Sequence, residues 1–325
     1  MPVKDWLEID LRPLRLGELL DRAFVLYRHR FVLFAGILLL PHCILLAGNL
    51  LVQAYFHPAM STRGGQAMSP GAAVALMSTN FLLLVLYMIV YIFALGAATC
   101  AISDVYLNRP ITIRGAYGKL KGRVGSLLGL FFVLGTLAFF LFVGAIMLVT
   151  VLAGAMTLLG PAVGAVAAIL GFLGVIVLAV WILLRFALAV PVIVLERTGV
   201  FESLSRSSLL TRGLRGKVFV AMVLVTLLAY NALILIQSPF AGAVLWFTFK
   251  VGAAPSWLVA MNAIAGTAAS VLSGPFVVLV LALFYYDARV RKEALDIRLL
   301  LAKAESEAPP QPAASAPPVP GTVTG

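Results

Sequence analysis

The chain has 325 residues, of which 62% are hydrophobic and only 11% are charged, and its net charge is +11. Soluble domains are about a quarter charged, so this composition excludes a protein that folds mainly in water. The apolar runs at 81–95 and 171–184 show no alternation with polar residues. This excludes a transmembrane barrel and leaves helices as the spans.

The first predicted element is an amphipathic helix at about residues 16–29. Its apolar side chains recur at helical spacing on one side, whereas Glu18, Asp21, Arg22 and Arg28 lie elsewhere on the helix. An apolar stripe beside a charged surface is typical of helices that lie in the membrane interface. We expect this helix there, ahead of the first span.

Six apolar stretches then follow, each longer than the roughly 20 helical residues that cross a hydrocarbon core of about 30 Å. All 24 Lys and Arg residues except Arg63, Arg185 and Lys250 lie before the first stretch, after the second, after the fourth or after the sixth. Because basic residues stay on the cytosolic side, both termini are predicted to be cytosolic. The predicted spans lie at about residues 31–55, 79–103, 125–152, 163–190, 218–246 and 258–286.

The cytosolic segments contain an internal repeat. Residues 12–17 (Arg-Pro-Leu-Arg-Leu-Gly) match residues 109–114 (Arg-Pro-Ile-Thr-Ile-Arg), and residues 197–201 enter the fifth span in a looser version of the pattern. The pattern indicates an all-α bundle of three repeats, each an interfacial helix followed by a two-helix hairpin. Each hairpin also returns to an acidic residue followed by an arginine: Asp104 with Arg109, Glu196 with Arg197, and Asp287 with Arg289.

A second amphipathic helix is predicted at about residues 288–304, directly after the last span. It would complete a membrane domain over residues 1–304. The Pro- and Ala-rich residues 305–325 lack aromatic side chains, so we expect them to form a disordered tail.

Four segments together resemble a known family. They are residues 12–24, residues 191–196 (Pro-Val-Ile-Val-Leu-Glu), residues 205–209 (Ser-Arg-Ser-Ser-Leu) and residues 285–293 (Tyr-Tyr-Asp-Ala-Arg-Val-Arg-Lys-Glu). They are similar to the bacterial glycerophosphoryl diester phosphodiesterase membrane domain family. The resemblance implies a multi-pass protein of the bacterial plasma membrane, and a link to lipid or glycerophosphodiester handling.

The family's name suggests hydrolysis, yet the residues needed for it are not found in the sequence. Phosphodiester hydrolysis needs carboxylates and histidines around a divalent metal, and His29, His42 and His57 are scattered along the chain. We therefore predict a protein that is not an enzyme and has no cofactor or metal. Its expected partners are membrane phospholipids and a membrane or cytosolic protein. Nucleic acid is not expected, because the positive-inside rule already explains the basic surplus.

Charged residues near the cytosolic interface are the candidates for lipid headgroup contact. Arg185 is the one charge well inside a predicted span, and Glu196, three helical turns further on, is its suggested partner. Arg185 either extends its guanidinium group to the interface or binds a lipid phosphate. The full candidate set is Arg22, Arg28, Arg185, Glu196, Asp287, Arg289 and Arg291.

Amides and prolines within the spans support an alternative function. Asn49, Asn231 and Asn262 are expected to point into the bundle, where they either join helices by hydrogen bonds or line a path. Pro239 and Pro275 can kink their helices, as in the broken helices of transporters. The alternative is therefore a channel or transporter for a small molecule, with its path between the repeats.

Overall fold

A computed structural model describes residues 14–60, 69–106 and 109–293 of the protein. Over these residues, six helical stretches are long and apolar enough to cross a membrane. The prediction of an all-α, multi-pass membrane bundle is therefore confirmed. The described residues contain ten α-helices and no strand: α1 (Leu16–His29), α2 (Phe31–Met60), α3 (Pro70–Tyr106), α4 (Ile113–Gly118), α5 (Val124–Met156), α6 (Pro161–Phe186), α7 (Ala189–Glu196), α8 (Val200–Thr211), α9 (Arg215–Val251) and α10 (Ser256–Glu293).

The long helices pair as three hairpins: α2 with α3, α5 with α6, and α9 with α10. Within the second hairpin, Gly164 faces Thr157 and Gly171 faces Val149, so the two helices run antiparallel. A shorter helix precedes each hairpin, namely α1, α4 and α8. This order is the one predicted from the repeat, although the repeat's first residues, 12 and 13, lie outside the described residues.

Several helices are longer than the predicted spans. α3 and α9 have 37 residues each and α10 has 38. At 1.5 Å per residue, helices of this length extend for about 55 Å, well beyond a hydrocarbon core of about 30 Å. The helices therefore project past the apolar layer, and the hydropathy pattern marks only their most apolar parts.

The fourth predicted span, at about residues 163–190, falls within one candidate membrane span, but its helix is interrupted. α6 ends three residues before α7 begins. Pro191, in the first turn of α7, has no N–H and cannot donate to the carbonyl of Ala187, as a continuous helix would require. The chain therefore restarts its helix just ahead of this proline.

The buried Ser207 of α8 holds the interruption in place. Its hydroxyl donates to the carbonyl of Arg185 at 3.1 Å and accepts the N–H of Leu188 at 3.2 Å. The hydroxyl of Thr211 also lies 3.3 Å from the Arg185 carbonyl. Polar backbone groups freed by the break are thus satisfied from a neighbouring helix, as buried backbone groups require.

The second amphipathic helix does not begin where it was predicted. α10 runs without a break to Glu293, so residues 288–293 continue the last long helix instead of starting a new one. Residues 294–304 and the predicted tail at 305–325 lie outside the described residues.

The predicted first helix is present as α1, and its apolar side is packed against α10. Leu19, Ala23 and Leu26 are buried, and the Tyr27 hydroxyl donates to the carbonyl of Leu272. Near the same end of α1, Phe24 meets Phe276 edge-to-face at a ring separation of 6.5 Å. The amphipathic pattern therefore serves helix packing as well as any contact with the membrane interface.

Buried residues are concentrated at one end of the bundle. They include most of residues 92–105 in α3, 189–194 in α7 and 278–288 in α10. By contrast, α5 has no buried residue beyond Leu130, and in α6 only Gly164 is buried. We call the compact region formed by α1, α4, α7, α8 and the C-terminal parts of α3 and α10 the packed end.

Candidate functional site

Two carboxylates and two guanidinium groups meet at the packed end in what we call the Glu196 cluster. Glu196, the last residue of α7, accepts hydrogen bonds from Arg206 Nε at 3.0 Å and from the Tyr285 hydroxyl at 2.9 Å. Arg206 also pairs with Glu293, and Arg289 Nε binds Glu293 at 3.0 Å. The cluster is electrically balanced and ties α7, α8 and α10 together.

Asp287 forms a second contact, which holds the start of α1. Its Oδ1 accepts the N–H of Leu14 at 2.9 Å, and its Oδ2 accepts from Arg291 Nε at 2.8 Å. Arg291 in turn donates to the carbonyl of Leu14 at 2.7 Å. The N–H and the carbonyl of Leu14 are thus held by Asp287 and Arg291 of α10, so these two charged side chains position α1.

The three hairpin acids bind partners other than the arginines that the sequence pattern set beside them. Asp104 binds Lys119 at 2.7 Å and not the side chain of Arg109, whose N–H instead donates to the Asp104 carbonyl. The other two acids bind Arg206 and Arg291, as described above, and not Arg197 and Arg289. For Asp287 the reason is helical geometry, since residues four apart share a face and residues two apart do not.

Arg185 is not paired with Glu196, contrary to the prediction. The interruption between α6 and α7 removes the continuous helix on which that pairing depended, and Glu196 is occupied by Arg206 and Tyr285. The guanidinium carbon of Arg185 lies instead 5.5 Å from the ring centroids of Trp181 and Phe186. Arginine stacked on an aromatic face in this way is a cation–π contact.

A second arginine shares the same indole ring. Arg215, the first residue of α9, has its guanidinium carbon 5.3 Å from the Trp181 centroid. The Nε atoms of Arg185 and Arg215 are both buried, and neither has a hydrogen-bond partner among the described residues. We call Trp181, Arg185 and Arg215 together the Trp181 site.

The remaining predicted headgroup residues lie apart from these clusters. Arg22 is half-buried and Arg28 is exposed, and both are on α1. Arg28 is at the opposite end of α1 from the contact between Leu14 and Asp287, a distance of about 20 Å along the helix. The structure thus brings Glu196 together with Arg289, and Asp287 with Arg291, but leaves Arg28 on a separate surface.

The residues predicted to line a path do not form one polar surface. Asn231 is exposed, and its amide donates to the carbonyl of Leu227 at 2.7 Å, one turn earlier in the same helix. The expectation that this amide points into the bundle is therefore wrong, because its own backbone satisfies it. Asn49 and Asn262 are half-buried, Pro239 is exposed and Pro275 is buried.

Comparison of the chain with protein-family models, with curated proteins and with solved structures finds no match. The resemblance to the glycerophosphoryl diester phosphodiesterase membrane domain family stays a prediction. Among the described residues, no group of three or more His, Cys, Asp or Glu side chains is arranged to hold a metal ion.

Sequence reasoning missed several residues of these clusters, although some signals for them were present. Arg289 with Glu293, and Trp181 with Arg185, are spaced four apart and so share a helix face. Arg206 and Tyr285 lie in two of the segments that resemble the family, but the sequence pattern assigned no role to either residue. No local signal points to Arg215, because its approach to Trp181 depends on how α6 and α9 pack.

Proposed function

We propose that this protein is a non-enzymatic membrane module that contacts anionic phospholipids through its packed end, on the cytosolic side of a bacterial plasma membrane. One observation carries the proposal, namely the sign of the exposed charges. Among the described residues at the packed end, the exposed acids are Asp21 and Glu202. The exposed cations there are Arg15, Arg28, Arg30, Arg109, Arg114, Lys119, Lys121, Arg197, Arg212, Lys217 and Lys292.

This imbalance arises because the acids are used internally. Asp104 and Asp287 are buried, and Glu196 is largely so, each with a cationic partner. Lys119 pairs with Asp104, and the other exposed cations face the solvent or the membrane surface. Near an anionic leaflet each of them contributes about 1 kcal/mol of attraction, and an excess of basic residues favours the cytosolic side.

The apolar surfaces of the second hairpin support contact with lipid. α5 beyond Leu130 and α6 up to Phe186 expose large apolar side chains over most of their length, including Phe139, Phe140 and Phe172. Helices without polar exposed faces are suited to acyl chains. We propose that this hairpin provides lipid contact, while a protein partner in lipid or glycerophosphodiester handling uses the packed end. The channel or transporter alternative gains no support from the positions of Asn231 and Pro239.

The lipids that surround the protein test the proposal. The full chain would be extracted from bacterial membranes with its surrounding lipid, and the lipids would be quantified by mass spectrometry. We expect anionic phospholipids to be enriched over the bulk membrane. The enrichment should fall in the triple variant Arg28→Gln, Arg114→Gln and Lys121→Gln, because these side chains are exposed.

Lys250→Gln is the matched control, since Lys250 is an exposed cation at the end of α9 far from the packed end. It should leave the enrichment unchanged. A lipid composition equal to that of the bulk membrane in the unaltered protein would contradict the proposal.

A further inference from the structure

The Trp181 site gathers positive charge from two helices that are distant in sequence. Arg185 lies in the last turn of α6, and Arg215 opens α9. Because both guanidinium groups contact one indole ring, they lie within about 11 Å of each other. Two like charges held this close repel one another unless an anion lies nearby.

No carboxylate among the described residues pairs with either arginine. Glu196, the acid nearest to Arg185 along the chain, binds Arg206 and Tyr285, and Glu293 of α10 binds Arg206 and Arg289. The Glu196 cluster is balanced, whereas the Trp181 site holds two cations and two buried Nε atoms without partners. A guanidinium group has five N–H donors, so both arginines have donors to offer a ligand.

The backbone around Arg215 adds to the positive potential. The first N–H groups of α9 have no partner within the helix, and a helix N-terminus carries a partial positive charge. Gly216 has no side chain to cover them, and open space lies where a Cβ atom would stand. Lys292 donates to the carbonyl of Arg212 at 2.7 Å, which brings a further ammonium group beside the same turn.

The site lies where the helix α6 ends and the candidate span in α9 begins. α6 stops just after Arg185, and the span in α9 begins at Arg215. Just beyond the site along these helices, Leu183 and Phe219 are exposed apolar side chains. An amphiphilic ligand could therefore place its anionic group between the arginines and its apolar chains along α6 and α9.

We infer that Arg185 and Arg215, stacked on Trp181, bind a phosphate group, with the first N–H groups of α9 as additional donors. Arginine suits this role because its planar donors match phosphate oxygens. The phosphate belongs either to the headgroup of an anionic phospholipid or to a free phosphate anion. The inference deepens the proposed function, on which it rests, by naming one specific site within a surface of general lipid contact.

Tryptophan fluorescence tests the site directly. Trp181 would be made the single tryptophan of the full chain by replacing Trp6, Trp246 and Trp257 with Phe. The protein would be placed in phosphatidylcholine nanodiscs that contain a small fraction of brominated phosphatidylglycerol or, separately, of brominated phosphatidylcholine. Bromine quenches a neighbouring indole. With two cations at the site we expect local enrichment of the anionic lipid on the order of tenfold, and hence stronger quenching by it.

Inorganic phosphate distinguishes the two sources of the ligand. Suppression of the phosphatidylglycerol effect by millimolar phosphate, but not by chloride of equal ionic strength, supports a phosphate site that also accepts the free anion. Retention of the effect in phosphate supports a lipid headgroup as the ligand. The inference would be overturned if, with Arg185 and Arg215 intact, both brominated lipids quenched Trp181 equally and phosphate had no effect.

Variants connect the signal to the arginines. Arg185→Gln with Arg215→Gln should abolish the preference for the anionic lipid, while Arg185→Lys with Arg215→Lys should retain part of it. Lys250→Gln removes an exposed cation at the opposite end of α9 and should keep the preference in full. Anionic enrichment around the whole protein without preferential quenching at Trp181 would refute this site while leaving the proposed function in place.

Discussion

Arg206 lies between two carboxylates that end different helices, Glu196 of α7 and Glu293 of α10. Burial alone would lower the pKa of Arg206, but hydrogen bonds and attraction from these two carboxylates outweigh it and raise the pKa. Its side chain is 33% exposed, against 15% and 14% for the two acids. Removing Arg206 would therefore leave two largely buried carboxylates with Arg289 as their shared cation.

We expect Arg206→Gln to lower the free energy of unfolding by about 3 kcal/mol, the usual cost of breaking a buried ion pair on one side. The measurement is denaturant unfolding in detergent micelles. Arg114→Gln is the matched control, because Arg114 is an exposed cation on α4. Equal stability of the two variants would show that the Glu196 cluster does not hold α7, α8 and α10 together.

Tyr117 on α4 gives a pH dependence of known sign. Its hydroxyl donates to the carbonyl of Ile37 at 2.7 Å, and burial raises its pKa from 10.0 to about 12. The raised pKa means that the folded state disfavours the phenolate. This contribution to stability is complete below pH 10 and is lost as the pH rises towards about 12.

Tyr117→Phe should therefore lose stability relative to the unaltered protein at pH 8 and approach it as the pH rises above 10. The measurement is the difference between the unfolding midpoints of the variant and the unaltered protein across this pH range. A difference between the two proteins that stays constant up to pH 12 would mean that Tyr117 is not held as a buried donor.

Sequence reasoning at the residue scale located the hairpin acids but could not assign every partner. Asp287 with Arg291 follows from spacing along a helix, and it could have been predicted. Glu196 with Arg206 could not, because it depends on the reversal between α7 and α8. Arg197 adopts a left-handed conformation there, with φ of 59°, and is itself exposed. The nearest arginine in the chain is thus turned away from the acid.

At the scale of elements, the interruption between α6 and α7 depends on a hydroxyl from a third helix. Ser207 is fully buried and bonds both the Arg185 carbonyl and the Leu188 N–H. A buried polar group left without its partner costs about 1 to 3 kcal/mol.

Ser207→Ala should accordingly lower the free energy of unfolding by about 2 kcal/mol, moderated by the remaining bond from Thr211 to the Arg185 carbonyl. Thermal unfolding in nanodiscs provides the measurement. Ser205→Ala, on the exposed side of α8, should change little. A loss at Ser207 no greater than the loss at Ser205 would contradict this role.

The elements themselves were largely predictable, and the break was not. Residues 163–190 are apolar except for Arg185 and predict one helix, because hydropathy responds to polarity and not to backbone continuity. Pro191 near the end of that stretch is the only local signal, and proline is tolerated in many membrane helices. The extension of α10 to Glu293 was also missed, because charged residues were taken to mark a new helix.

For the whole molecule, the sequence predicts the number of spans and their pairing but not where the core lies. Apolar side chains that face lipid and those that face another helix look alike in composition. The packed end contains most of the buried residues, whereas most of α5 and α6 is exposed. Convergence of Arg185 and Arg215 on Trp181 is likewise a tertiary property, since it joins helices separated by about 30 residues.

Orientation is the prediction that belongs to this scale, because the account requires the packed end to face the cytosol. Single cysteines would be introduced at two exposed serines in a chain lacking Cys43 and Cys100. Ser205 lies on α8 at the packed end, and Ser256 begins α10 at the opposite end. Both substitutions are small, so the fold should be retained.

Labelling of these two cysteines in intact bacterial cells with a membrane-impermeant thiol reagent is the most direct test of the account. We predict that Ser256→Cys reacts from outside, and that Ser205→Cys reacts only after the membrane is permeabilised. Labelling of Ser205→Cys in intact cells would place the basic packed end outside, away from the anionic cytosolic leaflet, and would contradict the proposed function.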